Sequence, residues 1–441
     1  MKKQSFAFRD FQTAVALASL GIILAAGLVT LNWWLAGQFG TGAEILPGWN
    51  GARAFLFEQV DPYSQTIAER TQIEVYGRAA REGEFPYALD VPFPLLIVYF
   101  FPLFAYRLLQ LFLELLPFNL LLPIPDSNWF PWVRAVWMSL SEAGLVALVL
   151  LALQLTEWKP KNWFRILLIL FSLGSFYSIT ALLDGSLSIL LALAMVGALV
   201  LLRSQNDEAA GMLLAIASFK WEVALLLFLF VVIGAYLARR WHVFAGYIMV
   251  WVVLGGVGYL LYPTWGWPYL RSVAANLRAN DAHTLTKYLS AWIPDSGENL
   301  SLLIISILLL ILILEWFAAL RSNNFRRVAW VAALSLAVTP LAGFSTTIAN
   351  LAPLVFSFVI ILPFAWERWE KRPYLVLSLF VFLFFAFPFL LRWQLTDWFL
   401  TDALINLLLP ALTILGLYWI RWYVVRPPRT WLDSARREIR K

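Results

Sequence analysis

The chain has 441 residues, of which 61% are hydrophobic and 14% are charged. A soluble globular domain carries about 45–50% apolar and about 25% charged residues, so this composition predicts an integral membrane protein. The sequence has no cysteine and only two histidines, which excludes disulfides, thiolate metal sites and histidine-rich metal clusters. The net charge of +6 is concentrated beside apolar runs, where it favours a role in membrane topology over nucleic-acid binding.

Repeated apolar runs predict the fold class. Many are long enough to cross a hydrocarbon core about 30 Å thick as helices, and none shows the alternation of a β-barrel strand. We therefore predict an all-α, polytopic membrane protein of about 12 to 14 helices, some shorter than a full crossing. Because no long soluble segment interrupts the chain, residues 1–441 are predicted to form a single transmembrane domain.

The first apolar run, residues 13–36, follows the opening MKKQSFAFRD. It is too long for the core of a secretory signal and lacks a clear small-residue cleavage site, so it is predicted to be a retained first span. Basic patches that the positive-inside rule places in the cytoplasm lie at residues 159–165, 238–242, 321–327, 367–372 and 425–441. The N-terminus and the tail 425–441 are therefore predicted to be cytoplasmic in a multi-pass protein of the plasma membrane.

This orientation leaves two long loops outside, residues 37–90 and 264–298. Both are expected to fold partly as helices on the membrane surface, and the first is expected to carry the active site. The second contains NLRANDAHTLTKYLSAW, a pattern typical of an amphipathic helix lying on a membrane. Such a helix would bring Arg278 and His283 towards the first loop.

Two apolar segments have an unusual pattern. Residues 91–106 and 107–122 are predicted to form a tight hairpin, because a single span would place the next basic patch on the wrong side. Residues 209–236 have cytoplasmic signals at both ends but Lys220 and Glu222 in the middle, which favours two short helices meeting near the outer surface. An ionisable residue at such a depth is costly and marks a functional candidate, with a mutual pair of the two side chains as the structural alternative.

The stretch ILPGWNGARAFLFEQVDPYS, residues 45–64, follows the first span and combines aromatic, charged and polar residues, as is typical of an enzyme surface. With the acid before it, it resembles the first outer loop of bacterial membrane glycosyltransferases of family 87, which belong to the GT-C class and include mannosyltransferases. In order, the acidic, aromatic, Ala-Ala-Arg-like and Asp-Pro-Tyr elements of that loop fall at Glu44, Trp49, Gly51-Ala52-Arg53 and Asp61-Pro62-Tyr63. The resemblance implies a GT-C-like fold and sugar transfer from a polyprenyl-phosphate donor.

The resemblance continues beyond the first loop and agrees in spacing over residues 13 to about 350. Gly185-Ser186 stands where the family has Gly-Gln, and Lys220 stands in its Gly…Lys-Pro segment. The departures from the pattern are Glu44 for Asp, Gln59 for Gly, Ser186 for Gln and Trp221 for Pro. The glutamate moves its carboxylate by about 1 Å, and a misplacement of that size costs a catalytic group roughly 10²-fold in rate. An inactive or re-specialised relative is therefore the alternative interpretation.

Inverting sugar transfer from a lipid phosphate needs a carboxylate base and cations that stabilise the departing phosphate. Glu44 is the predicted base because it stands close to the end of the first span, where a lipid phosphate would lie; an ordinary loop acid is the alternative. The predicted donor and phosphate ligands are Arg53, Lys220, Arg271 and Arg278. The predicted loop and acceptor-pocket residues are Trp49, Asp61, Tyr63 and His283. Asp61 can instead cap its turn, and Arg53 can instead pair with a loop carboxylate.

The expected partners are a polyprenyl-phosphate-linked sugar donor, a lipid or glycan acceptor and membrane lipids, with no nucleic acid. No cofactor is required, and a divalent metal would find only Glu58 and Asp61 as a weak candidate pair. Two other classes of function stay open. A secondary transporter or flippase would use Lys220, Glu222 and Asp184 as ligands inside the membrane, whereas a non-catalytic scaffold would need none of these residues.

Overall fold

A computed structural model describes the protein over residues 2–39, 42–81, 84–100, 103–104, 130–279, 284–322, 324–343, 347–368, 373–395 and 398–425. Within these ranges the chain is helical and contains no β-strand, which confirms the all-α prediction. Seven helices are long and apolar enough to cross a membrane, and a bent pair of helices adds an eighth, which confirms a multi-pass protein. The helix total and the hairpin at 91–106 and 107–122 stay predictions, because residues 105–129 lie outside the described ranges.

The helices are given in two sets, those before the second long loop and those from that loop onwards. Those before it are α1 (Lys2–Gln38), α2 (Leu46–Arg53), α3 (Gln65–Tyr76), α4 (Phe130–Thr156), α5 (Asn162–Gly174), α6 (Phe176–Asp184), α7 (Ser188–Arg203), α8 (Asp207–Ala217), α9 (Trp221–Leu237) and α10 (Trp241–Leu261). Those that follow are α11 (Gly266–Ala279), α12 (Leu285–Trp292), α13 (Gly297–Leu320), α14 (Phe325–Val338), α15 (Leu354–Arg368), α16 (Pro373–Val381), α17 (Phe387–Gln394) and α18 (Trp398–Val425). Single π or 3-10 turns occur at Ala54–Glu58, Phe93–Leu96, Thr339–Leu341, Ile348–Leu351 and Phe382–Ala386.

Burial separates central helices from peripheral ones. The span Ile348–Ala365, which includes most of α15, is almost wholly enclosed by other helices. Few residues are buried in the spans Ser19–Gln38 and Gly297–Leu320 of α1 and α13, and their exposed side chains are mostly apolar, as expected of helices that face lipid. The bundle therefore has α15 near its centre and the first span at its periphery.

Two breaks interrupt otherwise continuous apolar helices. The first lies between α5 and α6, which are bent by 53°, and there the Ser175 hydroxyl caps α6 by accepting a hydrogen bond from the Ser178 amide at 3.2 Å. The second lies between α8 and α9, as predicted for residues 209–236. Lys220 precedes the first residue of α9 in a non-helical conformation, so its side chain stands at the tip of the broken helix.

Close packing of helices α8 and α10 stabilises the second break. A Cβ atom at Gly211 would lie 2.0 Å from the Val243 carbonyl oxygen, and one at Gly246 would lie 2.1 Å from the Glu208 carbonyl oxygen. Only glycine lets two helix backbones approach so closely. The short helix α8 is thereby held against a full span, α10.

The two long loops are partly helical. The first contains α2 and α3, and the second contains α11 and α12. The single amphipathic helix predicted in the second loop is divided between these last two helices, and the Thr284 hydroxyl caps the start of α12 by accepting from the Lys287 amide at 3.2 Å. The position of Thr284 explains the new helix start, because a threonine side chain at an N-cap competes with helix continuation.

Candidate active site

Glu44 lies in the turn between α1 and α2, and its backbone is fixed to another helix. The Glu44 amide donates a hydrogen bond of 3.0 Å to the carbonyl oxygen of Asp184, the last residue of α6. Carbonyl groups at the end of a helix lack partners within that helix, so this bond provides a partner for the Asp184 carbonyl as well as for the Glu44 amide. The turn that carries Glu44 is therefore anchored to the end of α6.

Gly185 completes this junction. Its φ of +72° lies in the left-handed region, and a Cβ atom at this position would lie 3.0 Å from the Ile45 Cβ. The next residue, Ser186, is buried and donates to the Ser188 hydroxyl, which in turn donates to the Ala349 carbonyl oxygen at 2.9 Å. The Gly185-Ser186 pair identified by its resemblance to a family motif thus packs directly behind the Glu44 turn.

Arg134, near the start of α4, ties the same junction together. Its side chain is buried, and its guanidinium donates to the carbonyl oxygens of Ala36, Phe39 and Leu183. These three carbonyls belong to the ends of α1 and α6, the two helices that flank the Glu44 turn. This role was not predicted from the sequence, although an arginine in an apolar helix is a signal of a functional or structural site.

The Glu44 side chain has two direct partners. Lys220 Nζ donates to Glu44 Oε2 at 2.7 Å, and Thr347 Oγ1 donates to Glu44 Oε1 at 3.2 Å. The exposed fractions of the Glu44 and Lys220 side chains are 20% and 19%, so the pair is reachable from the surface. Glu222 attracts Lys220 through space but forms no ion pair with it in the described structure. The direct partner of Lys220 is Glu44 and not Glu222, the partner in the structural alternative.

Three further carboxyl groups lie close enough to interact electrostatically with this ion pair. We call Glu44, Asp90, Asp184, Lys220 and Glu222 the loop-side cluster. Burial raises the pKa of the Asp90 carboxyl, while Lys220 and a hydrogen bond from Asn276 act in the opposite direction. The predicted base, Glu44, therefore lies in one cluster with the three residues that a transporter would use, Lys220, Glu222 and Asp184.

The two long loops meet beside this cluster. The buried Asn276 side chain of α11 donates to the Ala88 carbonyl oxygen at 2.7 Å and accepts from the Ala88 amide at 3.2 Å. The rings of Tyr63 and Tyr269 also make an edge contact, with centroids 6.2 Å apart. Both loops therefore share one end of the bundle; which side of the membrane this end faces stays a prediction.

The predicted acceptor-pocket residues of the first loop act as its internal supports. Trp49 is buried, with its ring centroid 6.2 Å from that of Phe130. The Tyr63 hydroxyl donates to the Val91 carbonyl oxygen at 2.9 Å. Asp61 Oδ1 accepts from the Tyr63 amide at 2.9 Å, which is the turn-capping alternative for this residue.

Arg53 faces a carboxylate of its own loop. Its Nε lies 3.6 Å from Glu58 Oε1, as in the scaffold alternative. Glu58 also accepts two hydrogen bonds from Arg70, of 2.8 and 2.9 Å, and these bonds lower the pKa of the Glu58 carboxyl. The weak metal pair of Glu58 and Asp61 is thus engaged in other contacts, and no group of three metal-type ligands converges within the described ranges.

The predicted cations of the second loop are only partly described. Arg271 lies on α11 with an exposed side chain. Arg278 belongs to the same helix, but its side chain lies outside the described part of the chain, as does the whole of His283. Their roles as donor and pocket residues stay predictions.

Fold and site together define a polytopic membrane protein with an acidic, lysine-containing site where two helical loops meet the ends of spans. A model of glycosyltransferase family 87 matches residues 99–341, more than half of the chain. The protein therefore belongs to glycosyltransferase family 87, as the resemblance predicted, and the family implies a glycosyltransferase. No curated protein and no solved structure matches the chain. The matched range includes Lys220 and excludes Glu44, so the role of Glu44 depends on the geometry.

Proposed function

We propose that the protein transfers a hexose from a polyprenyl-phosphate donor to a hydroxyl group of a lipid or glycan acceptor, with inversion of the sugar. The observation that carries this proposal is the 2.7 Å contact between Glu44 and Lys220. It places a carboxylate and a cation side by side, close to the end of the first span. These are the two groups that the reaction needs, one for the acceptor proton and one for the departing phosphate.

Glu44 is the proposed general base. As the acceptor oxygen forms its bond to the sugar carbon, the acceptor proton passes to the Glu44 carboxylate and the bond from that carbon to the donor phosphate breaks. The hydrogen bond from Thr347 fixes one carboxylate oxygen, and the anchored turn fixes the backbone. Such positioning supports the proposal because general bases act within hydrogen-bond reach of the proton they remove.

Lys220 is the proposed phosphate ligand. Its present partner is Glu44, and a donor phosphate competes for the same ammonium through charge-assisted hydrogen bonds. Transfer of Lys220 from the carboxylate to the phosphate would free Glu44 Oε2 for the acceptor. The base would then become available only when the donor is bound.

The surplus of carboxyl groups in the loop-side cluster opposes the approach of an anion. That opposition is reduced at Asp90, because burial raises the pKa of this carboxyl and favours its neutral form. Arg271, Arg278 and Arg53 are proposed to attract the donor phosphate from the loops. No cofactor is required, and the site is proposed to face the outside of the plasma membrane, with both termini cytoplasmic.

Transport is the competing function, since Lys220, Glu222 and Asp184 are also the residues that a transporter or flippase would use. The two functions differ in what they require of Glu44. A transporter tolerates its replacement and depends on Lys220, whereas a transferase needs both. The direct contact between these two side chains favours the transferase.

The test incubates purified protein with radiolabelled polyprenyl-phosphate sugars and a membrane-lipid extract. Glu44→Gln keeps the shape and removes the basicity, so turnover should fall by about 10² to 10⁴ while folding and donor binding are preserved. Glu44→Asp should retain more activity than Glu44→Gln. Glu69→Gln is the control, because Glu69 is a partly exposed acid of the same loop that accepts a hydrogen bond from Gln65. Full transfer by Glu44→Gln would remove Glu44 from the mechanism, and no transfer by the parent with any donor would favour transport.

A further inference from the structure

A second ionic cluster lies near the other end of the bundle. Glu315 of α13 accepts hydrogen bonds from Arg421 of α18 at 2.8 Å and from Arg327 of α14 at 3.4 Å. We call Glu315, Arg327 and Arg421 the arginine cluster. Helix α13 starts at Gly297 beside the second loop, and Glu315 lies about 27 Å further along its axis. The arginine cluster is therefore distant from the loop-side cluster.

The arginine cluster carries an excess of positive charge. Two guanidinium groups face one carboxylate, and the buried Nε of Arg327 has no hydrogen-bond partner in the described structure. The Glu315 side chain is 9% exposed, whereas that of Arg421 is 38% exposed. An anion at the surface of the bundle can therefore reach Arg421 and find charge that Glu315 leaves uncompensated.

An apolar groove of about 260 Å³ borders this cluster. It is formed by α13, α14 and α18, and Leu312, Leu334, Val338 and Ile414 are among the residues that line it. On α13, Glu315 follows Leu312 at a spacing of three residues, and on α14, Leu334 follows Arg327 at a spacing of seven. These spacings place the charged group and the groove lining on the same face of each helix.

Tyr418 connects the groove with the charges. It lines the groove on α18 and precedes Arg421 by three residues, again on one helix face. Its hydroxyl group is buried and has no hydrogen-bond partner in the described part of the chain. A ligand that enters the groove with a polar acceptor at the arginine end would satisfy this hydroxyl.

We propose that the groove and the arginine cluster bind one anionic glycerophospholipid. Its phosphate would contact Arg421 and Arg327, and an acyl chain would lie in the groove against Leu312 and Ile414. Neighbouring side chains on α13, including Leu310 and Leu314, are largely exposed, as expected where a helix faces lipid. Basic pockets between spans are typical binding sites for anionic headgroups, so charge complementarity selects this occupant over a neutral lipid. The proposal does not depend on the function of the loop-side cluster.

The test measures lipids retained by the purified full-length protein in native mass spectrometry. Phosphatidylglycerol and phosphatidylcholine with the same acyl chains are the probes. The parent should retain one phosphatidylglycerol molecule at a lipid concentration about tenfold lower than the concentration needed for phosphatidylcholine. The reason is that the phosphatidylglycerol headgroup has a net negative charge that the arginines attract. Equal retention of both lipids, or a second copy of the chain in place of the lipid, would overturn the proposal.

Variants identify the site. Arg421→Gln and Ile414→Trp should each weaken phosphatidylglycerol retention about tenfold, the first by removing charge and the second by filling the groove. Arg421→Gln also removes a partner of Glu315, so thermal unfolding is measured in parallel, and Ile414→Trp provides a variant with all charges intact. Arg326→Gln, at an exposed arginine of the same bundle end, should change nothing. Unchanged retention by either folded variant would overturn the proposal.

Discussion

The loop-side cluster and the arginine cluster differ in charge balance and in construction. The first gathers four carboxyl groups around Lys220, and the second gathers two guanidinium groups around Glu315. Members of the first come from a turn, a loop and the ends of broken helices, whereas members of the second come from three continuous helices. A cluster built at chain breaks can exchange partners with little rearrangement, which is what binding and catalysis require.

The two clusters also differ in how exposed their side chains are. The Glu44 and Lys220 side chains are similarly accessible, but Glu315 is enclosed beside a more exposed arginine. Removing one member of an enclosed ion pair leaves a buried charge without compensation, which is strongly destabilising. Variants of the loop-side cluster should therefore change activity more than stability, and variants of the arginine cluster should do the reverse.

Lys220→Met tests the cation of the loop-side cluster, and after Glu44→Gln it has the largest expected effect. Turnover should fall by about 10²- to 10³-fold, because the phosphate loses its cation, and donor affinity should fall as well. Lys220→Arg, which keeps the charge, should retain more of both. Transfer rates over a range of donor concentrations measure the two effects separately. Lys287→Met, at an exposed lysine of the second loop, is the control, and unchanged donor affinity in Lys220→Met would leave Lys220 as a structural partner of Glu44 alone.

Glu315→Gln probes the other half of the comparison. The free energy of unfolding should fall by about 2 kcal/mol, less than for a fully buried pair because Arg421 is partly exposed. Turnover per folded molecule should stay unchanged. Thermal unfolding in detergent and the transfer assay measure these quantities, with Glu298→Gln at an exposed position of the same helix as control. A loss of turnover without a loss of stability would mean that the two ends of the bundle are coupled.

The fold and part of the candidate site could be predicted from local sequence patterns. Apolar length predicted the spans, and charges inside residues 209–236 predicted the break that exposes Lys220. Glu44 and Lys220 were each selected as candidates from their own surroundings. The predictions of the spans and of the break succeed because the cost of placing a residue inside a membrane depends on its type and its depth. The roles of Glu44 and Lys220 stay predictions.

The contacts between distant segments could not be predicted. Glu44 and Lys220 are separated by 176 positions, and nothing local indicated that they meet. The only carboxylate partner that the sequence suggested for Lys220 was its neighbour Glu222, as the structural alternative to phosphate binding. The anchoring roles of Arg134 and Gly185 were not predicted for the same reason. Arg134 binds backbone carbonyls at the ends of other helices, and Gly185 packs against the Cβ atom of Ile45. Such pairings depend on how the helices pack, which residue type alone does not determine.

Gly185→Ala tests whether Gly185 positions the turn that carries Glu44. Comparison with a control glycine separates this effect from the conformational cost of placing alanine in the left-handed region. A non-glycine residue in that region costs about 1–2 kcal/mol, and the added Cβ would also push against Ile45. We expect turnover to fall about tenfold together with stability. Gly77→Ala is the matched control, because Gly77 has the same φ of +72° with nothing within 4 Å of its Cβ position. Equal losses of turnover in the two variants would contradict a positioning role.

The smallest expected effect concerns Asp90, the buried carboxyl of the loop-side cluster. Its pKa in the folded protein is raised by burial, so the folded state binds this proton more tightly than the unfolded state. The free energy of unfolding therefore decreases as the pH rises from the ordinary aspartate pKa of about 3.9 to the raised pKa of Asp90 in the folded protein. Asp90→Asn should remove this decrease and raise the unfolding temperature at pH 7, measured by thermal unfolding from pH 4 to pH 8.

Glu84, in the same loop, gives a control of opposite sign. Hydrogen bonds from Arg78 and from the Arg81 amide lower the pKa of its carboxyl to about 2, so its contribution is present at neutral pH and lost as pH falls towards that value. Glu84→Gln should therefore lower the unfolding temperature at pH 7, in contrast to Asp90→Asn. If Asp90→Asn also lowers it, the attraction between Asp90 and Lys220 outweighs the cost of burial, and the surplus of carboxyl groups in the loop-side cluster carries no net penalty.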